Sequence, residues 1–143
     1  MGKPIRSAFK QIAYADLFEE YTKRIAKFTA CSSLGNFSRS SKEPDEASVL
    51  WICERDRLQA NLLSSEDLAF ELKRIINSGV NHWEIIIGGP NGFSAEELRQ
   101  LNPNKLWSFG RLTLPHELAT VVAAEQIYRA WTIIRGQPYH LGH

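Results

Sequence analysis

The sequence predicts an α/β fold, a parallel sheet with helices on both faces. Short apolar runs stand at "VLWICE" (residues 49–54), "HWEIII" (residues 82–87) and "KLWSFG" (residues 105–110), each the length of a buried strand. A helical pattern follows each run, and a strand–helix order repeated in this way implies parallel strands joined by crossovers. The length, 143 residues, suits one domain, so residues 1–143 are expected to form a single unit.

Residues 7–28 form an amphipathic helix in this reading. Phe9, Ile12, Leu17, Tyr21, Ile25 and Phe28 recur at three- to five-residue steps, with Lys10, Glu19, Glu20, Lys23 and Arg24 between them. Residues 31–48 are rich in Ser, Gly, Pro and charge and predict a loop, with at best a short strand at residues 34–37. A second helix starts at a Ser64 or Ser65 cap and stops at Gly79. A third opens with a capping box, because Ser94 and Glu97 stand three apart and can satisfy each other's amides. The closing helix begins at "TLPHE", with Thr113 as cap and Pro115 in the first turn, and ends at Gly136 before Pro138.

Several chemistries are excluded or unsupported. Cys31 and Cys53 are too few for a disulfide framework, and no His or Cys pair has metal-ligand spacing, so no metal site is expected. The N-terminal residues carry no signal-peptide core, Arg6 breaks the myristoylation pattern, and no apolar run approaches a membrane span. A cytoplasmic protein is expected. The net charge of +1 neither indicates nor excludes a nucleic-acid partner. Phosphate-loop, dinucleotide and nucleophile-elbow motifs are absent.

In a parallel sheet, ligands gather at the carboxyl ends of the strands, so the informative loops follow Cys53, Ile87 and Phe109. "GGPNGF" after Ile87 allows close backbone approach, and read alone it is also an ordinary strand-to-helix turn. With "GRLTLPHE" after Phe109 it suggests a pocket of backbone amides and carbonyls, suited to an adenosine-like ligand. The closing helix is apolar on two sides, Leu118, Val121 and Val122 on one and Ala119, Ala123, Ile127, Ala130 and Ile134 on the other. A homodimer interface is the simplest second partner. Glu125 and Arg129 form an i,i+4 pair, either a structural ion pair or one whose arginine reaches a site. His116 and His140 flank the helix.

"LSSEDLA", "IIIGGPNGFS", "SFGRLTLPHEL", "AEQIYRAW" and "GQPYH", in this order and spacing, resemble the RlmH (YbeA) family of SPOUT methyltransferases, strongly from about residue 49 to residue 140. The resemblance implies a SPOUT-type parallel sheet with a C-terminal trefoil knot, and a homodimer through the closing helix. It also implies S-adenosyl-L-methionine as cofactor and methylation of N3 of a pseudouridine in large-subunit rRNA within the ribosome. Carried over, the cofactor would touch Cys53, Gly88, Gly89, Gly110, Arg111, Leu112, Thr113, Leu114 and Pro115. His116, Arg129, Tyr139 and His140 match positions that line the transfer site or face RNA. His116 is the candidate base, since an imidazole titrates near neutrality, and Arg129 would orient the base or a phosphate. Residues 1–48 are divergent and shortened relative to the family. Thr120 and Leu141 stand where it carries basic residues, and Arg39, Lys42, Arg55, Arg57 and Arg111 are candidates to compensate. These departures keep a non-catalytic cofactor- or RNA-binding dimer as the alternative.

Overall fold

A computed structural model describes residues 12–31, 48–53, 61–80, 82–88, 92–110 and 112–141. Among them the order is α1 (Ile12–Ile25), β1 (Ser48–Cys53), β2 (Asn61–Leu62), α2 (Ser65–Asn77), β3 (His82–Ile87), α3 (Ala95–Leu101), β4 (Lys105–Ser108) and α4 (His116–Ile134). The four strands form one parallel sheet in the order β2-β4-β1-β3. From β1 the chain goes to β2 at one edge, crosses to β3 at the other edge, and returns to β4 between β2 and β1, so β3 and β4 flank β1 on opposite sides. The strand order therefore reverses at β1, the place where such sheets open a crevice.

Side-chain alternation along the strands builds two cores. Trp51, Cys53 and Trp107 face one side, where they pack on Leu68 and Leu72 of α2, Ile25 of α1, and Ala123, Ala130 and Trp131 of α4. Ile52 and Ile86 face the other side and meet Phe93, with Leu98 and Leu101 of α3 against them. Helices therefore cover both faces, as the sequence predicts. The first core is the larger, and edge-to-face contacts of Trp51 with Trp83 and Trp107 fill it across the strands.

Local chemistry explains most boundaries. Ser64 and Ser94 each close a capping box, with Asp67 and Glu97 as reciprocal partners. The closing helix ends in a Schellman motif, Gln137 N–H to the Thr132 carbonyl at 2.9 Å and Gly136 N–H to that of Ile133 at 3.2 Å. Gly136 takes the positive φ of 69° that this motif requires.

Some expectations are corrected. Thr113 does not cap α4: the helix starts at His116 without a side-chain cap, and Pro115 occupies the N-cap position. The proline ring fixes φ at −54° while ψ stays extended at 141°, and the Pro115 carbonyl takes the first helical bond, from Ala119 at 2.9 Å. β4 stops at Ser108, because the Ser108 hydroxyl bonds both N–H and carbonyl of Gly110 and turns the chain out of the ladder. The two-residue β2, beside β4, was not anticipated. Within the chain, α1 and α2 both pack on α4. The first residues of the predicted first helix and the strand considered at residues 34–37 lie outside the described residues.

Candidate functional site

Because all strands are parallel, Cys53, Leu62, Ile87 and Ser108 end at one edge. Two bonds tie the loops there together. Gly88 N–H donates to the Cys53 carbonyl at 2.7 Å, joining the ends of β1 and β3. His116 Nε2–H donates to the Ile87 carbonyl at 3.2 Å, joining α4 to β3. A carbonyl only accepts, so this contact puts the ring proton on Nε2 and leaves Nδ1 as the basic nitrogen. Cys53 offers the edge only its backbone, since its side chain is 2% exposed and lies in the larger core.

From His116, α4 runs across this edge towards β4 and β2. A cleft of about 230 Å³ opens beneath it, floored by Trp107, Ser108 and Phe109 at the end of β4. Leu62, Leu63, Ser64 and Leu68 form one wall, and Val122 and Gln126, one turn apart on α4, form the other. Six of its nine lining side chains are apolar and three are polar. Gly110, at φ 111°, carries the chain out of β4 beside it. Leu112, Thr113 and Pro115 are exposed on the following loop, and Leu114 is half-buried.

Beyond the cleft, the chain after α4 folds back onto α2. Glu125 is the hub: its Oε2 accepts from Arg129 Nη2 at 2.8 Å, Arg129 Nε at 3.2 Å and the Tyr139 hydroxyl at 2.9 Å. Arg129 Nη1 donates to His140 Nδ1 at 3.0 Å, and His140 Nε2–H donates to Glu66 Oε2 at 2.8 Å. Gln126 connects hub and cleft by donating to Glu125 at 2.7 Å and accepting from Ser65 at 2.6 Å. Burial first, then hydrogen bonds to Tyr21 and Glu125, push the Tyr139 phenol well above its ordinary value, so it stays a donor. The bond to His140, followed by a backbone bond of its own, holds the Glu66 carboxyl below the usual range.

A family model described as "Predicted SPOUT methyltransferase" matches residues 7–140. The chain belongs to the SPOUT methyltransferase family. It is similar to proteins named "Ribosomal RNA large subunit methyltransferase H". That of Koribacter versatilis is 36% identical over 140 residues, covering 94% of this chain and 92% of the relative. That of Deinococcus deserti is 36% identical over 139 residues, covering 91% and 92%. That of Listeria monocytogenes serotype 4a is 40% identical over 100 residues, 70% of this chain, and the match spans only 59% of that protein's length.

The SPOUT chain brings together some expected residues and separates others. Arg129, Tyr139 and His140 share one network, and Cys53, Gly88 and His116 share the strand edge. His116 and Arg129 are thirteen positions apart on one helix, about 20 Å at 1.5 Å per residue. At that separation the two side chains do not meet each other within one chain. Gly89 and Arg111 lie outside the described residues. Sequence reasoning missed Glu66, Gln126 and the wall at Leu62–Leu63. The "SSED" cap marked the start of α2, but nothing local showed that this turn meets the chain's end.

Proposed function

We propose that this protein is an S-adenosyl-L-methionine-dependent methyltransferase acting on N3 of a pseudouridine in large-subunit rRNA. The observation that carries this reading is the cleft at the strand edge, flanked on α4 by a histidine with one basic nitrogen and by the Arg129–Tyr139–His140 network. Membership of a methyltransferase family and relatives named for the large-subunit RNA supply the reaction class and substrate. In our reading the C-terminal half forms the trefoil knot of that family, and residues 1–143 act as one cytoplasmic domain with no metal.

In this reading the cleft, at about 230 Å³, receives only part of the proposed cofactor. Trp107, Phe109 and Val122 would offer flat and aliphatic surface to an adenine ring, while the hydrogen bonds of Ser64, Ser108 and Gln126 within the chain hold the walls in place. Gly88 and residues 110–115 would hold the rest through backbone groups. When bound, the cofactor supplies a methyl group on a positively charged sulfur, a charge that disappears on transfer and is favoured to do so in a site poor in water. His116 accepts at Nδ1 the proton that leaves N3, while the Ile87 carbonyl keeps the opposite nitrogen protonated and the ring aimed. Holding the reacting atoms in line can supply about 7–11 kcal/mol.

The separation of His116 from Arg129 favours a homodimer through α4, in which one chain contributes His116 and its partner the Arg129 network. Two observations favour the non-catalytic alternative. Arg129 is committed to Glu125 and His140, and Thr120 bonds the His116 carbonyl at 2.9 Å where a cation is otherwise expected.

The test is transfer from labelled S-adenosyl-L-methionine to ribosomes from a strain lacking this modification. Label at the pseudouridine stem-loop is expected. Label on another nucleoside would reject the target, and none, with an active relative run in parallel, would leave the binding reading.

A further inference from the structure

The C-terminal end of α4 lies beside the residues that follow α1. The Phe28 ring stacks on Trp131 at 5.4 Å, and the Arg135 guanidinium lies over both rings, 5.8 and 5.7 Å from their centroids. One turn back, Arg24 lies 5.4 Å over Tyr128, whose ring meets Tyr139 at 4.7 Å. Arg129 in turn lies 4.9 Å over Tyr139. These contacts bring the basic end of α1 up to the folded-back tail.

Charge accumulates there. Lys23, Arg24, Lys27, Arg129 and Arg135 stand against Glu19, Glu20 and Glu125, of which Glu20 and Glu125 are paired with Arg24 and Arg129 respectively. Lys23, Lys27 and Arg135 are exposed and have no carboxylate partner among the described residues. Two surplus cations at one end of a chain whose net charge is +1 make a local field that the overall charge conceals. Favourable placement near helix C-termini explains cations in a last turn. It does not explain why the two ends converge beside the proposed site. Arginines interleaved with aromatic rings and flanked by exposed lysines match a polyanion whose charges repeat along a backbone.

We infer that the surface of Lys23, Lys27 and Arg135 binds the phosphate backbone of the RNA substrate next to the tail. The inference rests on RNA being the substrate. It adds to the candidate basic residues Arg39, Lys42, Arg55, Arg57 and Arg111, all of which lie outside the described residues. The residues of the tail would read the nucleoside, while this surface sets its register and supplies the salt-dependent part of the affinity.

The test is fluorescence anisotropy with a labelled RNA hairpin between about 50 and 200 mM salt, on the full chain. The Lys23→Glu/Lys27→Glu/Arg135→Glu variant should bind about 10- to 100-fold more weakly at the lower salt. Its slope of log affinity against log salt should be shallower by roughly 2, near 0.7–0.9 per lost phosphate contact. A Gln triple variant keeps the side-chain stems and should show the same slope change if the Glu variant folds poorly. Lys73→Glu, on exposed α2, should leave the slope unchanged. Wild-type slope and affinity in a folded triple variant would overturn the inference, as would equal losses in Lys73→Glu or wild-type protein that binds no RNA. Methyl transfer is measured separately, so salt-dependent binding without transfer would reject the proposed reaction and leave the surface standing.

Discussion

Tyr139 keeps its proton because burial and its bond to the Glu125 carboxylate both penalise the phenolate. The fold therefore raises its affinity for the proton. The resulting stabilisation is present in full below the ordinary phenol value near 10 and is lost as pH rises through the higher folded value. In a spectrophotometric titration of the folded protein, Tyr139→Phe should show the same absorbance rise as wild type up to about pH 10; a smaller rise in the variant would mean an ordinary phenol. Glu66 has the opposite sign. Its folded value is depressed, so its contribution is present above the usual carboxylate range and disappears as pH falls through the folded value. At His116 the expectation is kinetic. Replacement by Ala should lower kcat about 10²–10⁴-fold at saturating cofactor, while the circular-dichroism spectrum stays unchanged. Turnover within twofold of wild type would remove His116 from the proton transfer.

Helix ends were the most legible elements, because their chemistry is local. "SSED" and "SAEE" contain both partners of a capping box, and Gly136 supplies the one residue type at ease in the conformation its motif needs. Ser64→Ala should cost about 1 kcal/mol. Gly136→Ala meets open space, so only its backbone conformation resists, and the expected loss is about 1–2 kcal/mol. Both should lower Tm by a few degrees in calorimetry; an unchanged Gly136→Ala would mean the helix ends elsewhere. What stayed illegible was non-local. β2 is two residues long and carries no periodicity, and its place beside β4 depends on pairing Asn61 with Trp107. One wall of the cleft went unseen with it. The start of α4 misled for a different reason, since threonine and proline fit a cap and a first turn equally well in sequence, and only the backbone decides.

For the whole molecule, strand–helix alternation was enough to predict the parallel sheet and the edge where the loops meet. It could not show that His140 crosses to Glu66, 74 residues earlier. The spacing of His116 and Arg129 along one helix, by contrast, follows from the sequence itself. That spacing makes a prediction about assembly. If the site is shared between two chains, His116→Ala and Arg129→Ala proteins, each inactive alone, should recover about a quarter of wild-type turnover when mixed and allowed to exchange, because half the dimers are mixed and each holds one intact site. No recovery would place the whole reaction in one chain. The buried Cys53 has another consequence. Cys31 is exposed, whereas Cys53 lies under α2 and α4 in the central strand, with its carbonyl closing the proposed site. In a Cys31→Ser protein, a thiol reagent can reach sulfur only when the sheet edge opens, so its labelling rate reports that opening. A ligand that seals the edge should slow the rate before any product has formed.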